Sequence, residues 1–314
     1  MAALLLHPVA QLSWTNFTVH PSTVIGIAAI GAAYAWRARQ GPSAADHFPV
    51  NINAADATPA QLAVAAGTPG PTTGQRASFF SSLLLLFLTL NGPLHDLSDY
   101  FLFSAHMVQH LIMTLIIPPL MILGTPGWML RPLLRNTGVY RLARALTGVI
   151  GCFAVFNIVL SFWHLPPMYN LALSFHWVHI IQHLMFLAGA TFMWWPLVST
   201  LPELPRASYP AQMLYCFVMV IPMSIISIYI VMADSALYPA YAIAPRILGI
   251  SPMMDQQYGG LIMWIPGGIF FYGIMTVVFF KWSARGEDDQ ESAQVGWVAP
   301  AAPVVAVRSG ANDA

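Results

Sequence analysis

Cysteine is nearly missing from this chain: Cys152 and Cys216 are the two that its 314 residues contain, far apart in different apolar runs. With no CxxC or CxxxC pair, thiol redox chemistry and thiolate metal capture are poorly supported. Both residues read as small buried hydrophobes. Charge is scarce as well, at 8% of residues, against about 25% in an ordinary soluble domain. Lysine plus arginine and aspartate plus glutamate number 12 each, so the net charge of zero offers nothing to nucleic acid. No GxxxxGK followed by Ser or Thr, no GxSxG and no acidic pair inside an apolar run is present. An NTPase, a serine hydrolase and a carboxylate proton relay are therefore disfavoured, and no enzyme is expected.

What is abundant is apolar length. Hydrophobic residues make up 57% of the chain and mean hydropathy is +0.65, and a span needs roughly 20 mostly apolar residues to cross the bilayer core. The expected fold is an all-α polytopic membrane helix bundle of about seven spans: 20–36, 77–94, 101–124, 143–162, 177–198, 209–232 and 259–281. The first is short and carries Gly26 and Gly31. Residues 1–19 form an outer N-terminal segment that lacks a basic stretch and a small-residue cleavage site, so no cleaved signal peptide is expected. Residues 41–75, rich in Pro, Gly, Ala and Thr, read as a mobile cytoplasmic loop, and 282–314 as a disordered cytoplasmic tail.

Basic residues in short loops set orientation. Arg37, Arg39 and Arg76 flank the loop after span one, and Arg131, Arg135, Arg141 and Arg144 separate spans three and four. Arg206 follows span five, and Lys281 and Arg285 follow span seven. The alternate loops hold Arg246 against Asp96, Asp99, Asp234 and Asp255. This pattern predicts the N-terminus outside and the C-terminus cytoplasmic. It also puts His7, His20, His95, His106, His110, His164, His176, His179 and His183 toward the outer side, leaving only His47 in the cytoplasmic loop.

Two of those pairs are the same motif, HxxQH, written as His106-Met107-Val108-Gln109-His110 and His179-Ile180-Ile181-Gln182-His183. Four-residue spacing sets both imidazoles of a pair on one helix face, a turn apart. Polar groups inside a span are costly and by default mark a functional site. Spans three and five run in the same direction, so the two motifs lie at similar depth and can face each other. Neutral imidazole ligates copper, zinc and iron, and His176 adds a fifth candidate ligand three residues before His179. Gln109 and Gln182 are placed to bond a ligand histidine's second nitrogen.

Weaker candidates surround this core. His95 and Asp96 stand at the outer mouth of span two, where a carboxylate could orient a ligand histidine. His164 follows span four beside Trp163, which reads as an interfacial anchor. Thioethers suit Cu(I), yet Met213, Met219, Met223 and Met275 read as apolar packing, and Met107 points about 100° away from His106 on a helix. Met253-Met254-Asp255 forms a possible capture patch in the last outer loop. Pro118-Pro119, Pro196, Pro222 and Pro266-Gly267-Gly268 imply kinks within spans.

Three stretches together resemble the CtaG family, assembly factors for aa3- and caa3-type cytochrome c oxidases. They are Phe103-Ser104-Ala105-His106-Met107-Val108-Gln109-His110, then Pro118-Pro119 leading to Leu123-Gly124-Thr125-Pro126, and His164-Leu165-Pro166-Pro167-Met168-Tyr169 through His176, His179 and His183. The resemblance runs from about Leu83 to Lys281, and the 41–75 loop departs from the family's pattern. It implies a seven-span protein of the bacterial cytoplasmic membrane that partners cytochrome c oxidase subunits and delivers copper to them. A haem-binding redox protein with one axial histidine from each of spans three and five is the alternative. A non-metal scaffold for oxidase subunits is another, and a di-iron oxygenase fits least, because the clustered HxxHH boxes it needs are not written here.

Overall fold

The computed structural model describes residues 17–43, 46 and 70–295, and among these it is helical with no strand. Apolar segments in a bilayer must satisfy their backbone internally, which leaves the helix as the form available to single segments. The helices are α1 (Pro21–Gln40), α2 (Thr73–Thr89), α3 (Pro93–Tyr100) and α4 (Phe103–Gly124). They continue with α5 (Gly127–Leu134), α6 (Thr137–Thr147), α7 (Val149–His164), α8 (Pro166–Ser174) and α9 (His176–Val198). The last are α10 (Tyr209–Val231), the single turn α11 (Pro239–Ala242) and α12 (Pro252–Val295).

Four of these, α4, α9, α10 and α12 through Arg285, are long and apolar enough to cross a membrane, and the count rises to six if each bent pair is one span. Both bends fall inside segments read from the sequence as straight spans. The expected span 77–94 breaks after α2, where Gly92 takes φ +71°, a backbone state that L side chains avoid, and α3 leaves at 48°. The expected span 143–162 breaks at Gly148, where α6 and α7 meet at 79°.

Helix α4 carries its own irregularity, a π-helical stretch at Ile112–Ile116 directly before Pro118 and Pro119. Proline has no N–H and its ring crowds the carbonyl one turn back. The Thr114 carbonyl, orphaned by Pro118, instead accepts from the Trp194 indole N–H of α9 at 2.8 Å. Pro196, Pro222 and Pro266 lie within continuous helices.

Packing sets the ends of the bundle. α10 lies along α12, the first turns of α4 lie against α12, the second half of α4 against α2, and α9 between α7 and α4. Gly124 permits the α2 contact, since a Cβ there would come within 2.5 Å of the Phe79 backbone nitrogen. The N-terminus of α4 is capped from another helix. Asp255 of α12, fully buried, accepts from the backbone N–H of Phe103 at 2.7 Å and of Ser104 at 3.1 Å. The supposed capture patch Met253-Met254-Asp255 is thus the first turn of α12, with its carboxylate spent on a helix end.

Of residues 41–75, expected as a mobile loop, 41–43, 46 and 70–75 are described, and there Asp46 is ion-paired to Arg37 at 2.5 Å and to Arg135 at 2.9 Å. At the other end, a reciprocal capping box between Thr72 and Gln75 starts α2. The expected disordered tail from 282 begins as helix, because α12 runs on to Val295 through a proline-free stretch. Trp163 is buried in the core and does not serve as an interfacial anchor. Residues 1–16, 44–45, 47–69 and 296–314, with His7 and His47 among them, lie outside the described residues.

Candidate metal centre

The two HxxQH motifs meet. On α4, His106 and His110 lie one turn apart with ring centroids 4.3 Å from each other, and on α9 His179 and His183 repeat the relation at 4.2 Å. Between the helices, His106 is 5.8 Å from His179 and His110 is 5.5 Å from His183. All four side chains are buried. One nitrogen from each of His106, His179 and His183 falls within 4.8 Å of the others. Metal–imidazole bonds of about 2 Å would require these nitrogens to close by roughly an ångström, a change that ring rotation can supply.

Hydrogen bonds decide which nitrogen faces inward. The Tyr241 hydroxyl of α11 donates to the Ser98 carbonyl at 2.7 Å, which uses its one proton. Its oxygen therefore accepts from Nδ1–H of His106 at 3.2 Å. Nδ1–H of His179 points to the Asp99 carboxylate at 3.3 Å. In both rings Nε2 is left with its lone pair, buried and without a hydrogen-bond partner. Nε2 of His183 and both ring nitrogens of His110 are likewise buried and unpartnered. Buried polar atoms are normally satisfied, so the unpartnered Nε2 atoms of both motifs form a donor set open to a ligand.

The remaining sequence candidates divide. His95 is engaged at both nitrogens: Gln109 donates to Nδ1 at 3.0 Å, and Nε2 faces Asp99 at 3.4 Å. It therefore orients the site from beside it. Gln109 does bond a histidine, as expected, but the histidine is His95; its amide also donates to the Thr89 carbonyl at 2.8 Å. Asp96 accepts from the Thr18 hydroxyl at 2.8 Å. Gln182 is buried with its Oε1 unpartnered. His176 is exposed at the rim, 5.9 Å from His20, whose ring is 4.6 Å from that of His95. His164 lies 6.5 Å from His110, on the far side from the triad.

Two positioning residues escaped the sequence reading. Asp99 was counted only as a loop charge, yet its side chain is 4% exposed and touches two histidines. A signal existed, since Asp99 stands four residues after His95 on a helical turn. Tyr241, which holds His106, carried none.

The chemistry follows from the donors. Three neutral imidazoles and one carboxylate behind them make a nitrogen site suited to copper or zinc. A carboxylate behind a ligand histidine fixes its tautomer and raises its basicity.

Comparison with known proteins identifies the family. The family described as cytochrome c oxidase caa3 assembly factor (Caa3_CtaG) matches residues 60–285, a range that contains every residue of the cluster except His20. Uncharacterized proteins of Mycobacterium bovis and of Mycobacterium tuberculosis are each 22% identical over 200 residues, covering 59% of this chain. The chain spans 30% of the length of these curated relatives. No solved structure matches it.

Proposed function

The chain belongs to the cytochrome c oxidase caa3 assembly factors, and we propose that it matures the oxidase by holding a copper ion at His106, His179 and His183 and passing it to an oxidase subunit. The observation that carries this reading is that ring nitrogens of His106, His179 and His183 lie within 4.8 Å of one another and each ring has a buried, unpartnered Nε2. Imidazoles set by Asp99 and Tyr241 leave their Nε2 lone pairs free of hydrogen bonds. Neutral nitrogen ligands exchange a cargo ion more readily than a thiolate cage, and His20 and His176 at the rim offer an entry step.

The protein acts, in this reading, in the bacterial cytoplasmic membrane with seven spans. The two bent pairs count as one span each, and α1, whose twenty residues reach about 30 Å, is the first. The arginines that follow the C-terminal ends of α4 and α9 lie at the cytoplasmic face, and the histidines lie toward the outside. Haem would need a slot for its macrocycle between α4 and α9. The His106 and His179 rings are instead stacked, with their planes 19° apart, which favours an ion.

Metal analysis of the purified chain tests the site. After copper loading, about one ion per chain is expected at this cluster, and His106→Ala with His179→Ala should remove it. Copper content unchanged in that double variant would overturn the assignment.

A further inference from the structure

One turn further along α4 from the triad, a cavity of about 30 Å³ has His110, His164, Met107, Met219, Met223 and Met263 among its lining residues. Six side chains from α4, α7, α10 and α12 converge there, although none of the four methionines is near another helix's in sequence. We propose that this cavity is a second metal site, specific for a soft monovalent ion such as Cu(I).

Both imidazoles keep a ring nitrogen without a hydrogen-bond partner. Nδ1–H of His164 donates to the Leu160 carbonyl at 2.7 Å, which leaves the lone pair on Nε2. That atom is buried and unpartnered, as are both ring nitrogens of His110. A bound water would need two to four polar partners, and the wall beyond these histidines is largely phenylalanine, leucine and methionine. The thioethers are placed rather than merely filling space. Asn157 donates to the Met219 sulfur at 3.5 Å. Gly267 leaves room for Met223, because a Cβ there would come within 2.9 Å of its Sδ.

Ligand type then selects the ion. Thioether and imidazole together suit Cu(I), while divalent ions prefer sites that bring negative charge. No carboxylate lines this cavity, and burying an unneutralised divalent charge is costly. A monovalent soft ion incurs the least penalty.

The site also has a route in. The His110 ring is 4.3 Å from that of His106 and 5.5 Å from that of His183, so an ion on the triad is one helical turn away. The inference thus extends the copper reading, with residues of its own.

Selenomethionine-labelled full-length protein in detergent, loaded with Cu(I), tests it without any substitution. X-ray absorption at the copper edge should reveal selenium in the coordination shell; a shell of nitrogen alone overturns the proposal. Titration with Ag(I) should reveal two ions per chain. Met219→Leu with Met223→Leu should weaken one of them by about tenfold or more and leave the other, while His106→Ala with His179→Ala should do the reverse. If the leucine variant keeps both ions at full affinity, the second site is wrong. If only the alanine variant keeps both, the triad is wrong and the second site stands.

Discussion

The carboxylate of Asp99 lies 3.3 Å from Nδ1 of His179, and its side chain is only 4% exposed. A buried charge at this point has no role in holding helices together that an amide could not fill. It does set the tautomer of a histidine whose other nitrogen is buried without a partner, and it offers the negative charge that a bound cation needs.

Asp99→Asn should therefore keep the fold and weaken copper binding by about 10- to 100-fold. Competition with a chromophoric Cu(I) chelator measures this. Asp96→Asn, which changes a group bonded to Thr18, should leave affinity unchanged. Equal effects from the two would mean that the site does not depend on the Asp99 contact.

The cap supplied by Asp255 is a second point of leverage. Asp255→Ala frees the N–H groups of Phe103 and Ser104 at the turn that carries His106. A lost helix cap costs about 1–2 kcal/mol, so the melting temperature in detergent should fall and metal affinity should fall with it. A variant with unchanged melting would show that α4 is held by packing alone.

Away from the histidines, Asp46 should give a stability signal in acid. Burial by itself would raise its carboxyl, but hydrogen bonds from Ser43 and the Arg37 guanidinium outweigh this and hold it below the ordinary carboxylate value. With the folded state binding the proton less tightly than the unfolded one, the stabilisation is fully present above the ordinary carboxylate value and is lost as pH falls through the lower folded value. The difference in stability between the parent and Asp46→Asn should thus be flat near neutral pH and shrink only in strong acid. A difference that vanishes near pH 6 would remove Asp46 as the cause.

How much of this could be read from the sequence depends on the range of the interaction. The HxxQH repeat is visible because i and i+4 share a helix face, and the alternation of arginines along the chain aligned the two copies. The meeting of His106 and His179 followed from those two local facts. Asp99 showed only its i+4 spacing from His95 and Tyr241 showed nothing, because each reaches the site through a break. Gly92 turns α3 inward, and the single turn α11 folds a tyrosine from an interspan segment back onto α4. The methionine cavity was hidden for a related reason: a thioether at packing position is indistinguishable from core until its neighbours are known. Asn157 beside Met219 and Gly267 beside Met223 become informative only in three dimensions.

Topology is open to direct labelling. With Cys152 and Cys216 replaced, single cysteines placed in 165–175 or 235–256 should react with a membrane-impermeant thiol reagent in intact cells, and those in 41–75 should not. Labelling confined to 41–75 would invert the orientation and put the histidines on the cytoplasmic side.

The most direct measurement of the central claim is the copper and haem content of the oxidase isolated from cells whose only copy of this chain carries His106→Ala and His179→Ala. The variant should insert at normal levels, and the oxidase should be made with its haem in place, depleted of copper and inactive. Excess copper in the medium should partly restore activity to a weaker single variant, because mass action offsets lost affinity. An oxidase with full copper and full activity from the double-variant cells would contradict the account and leave a scaffold role in its place.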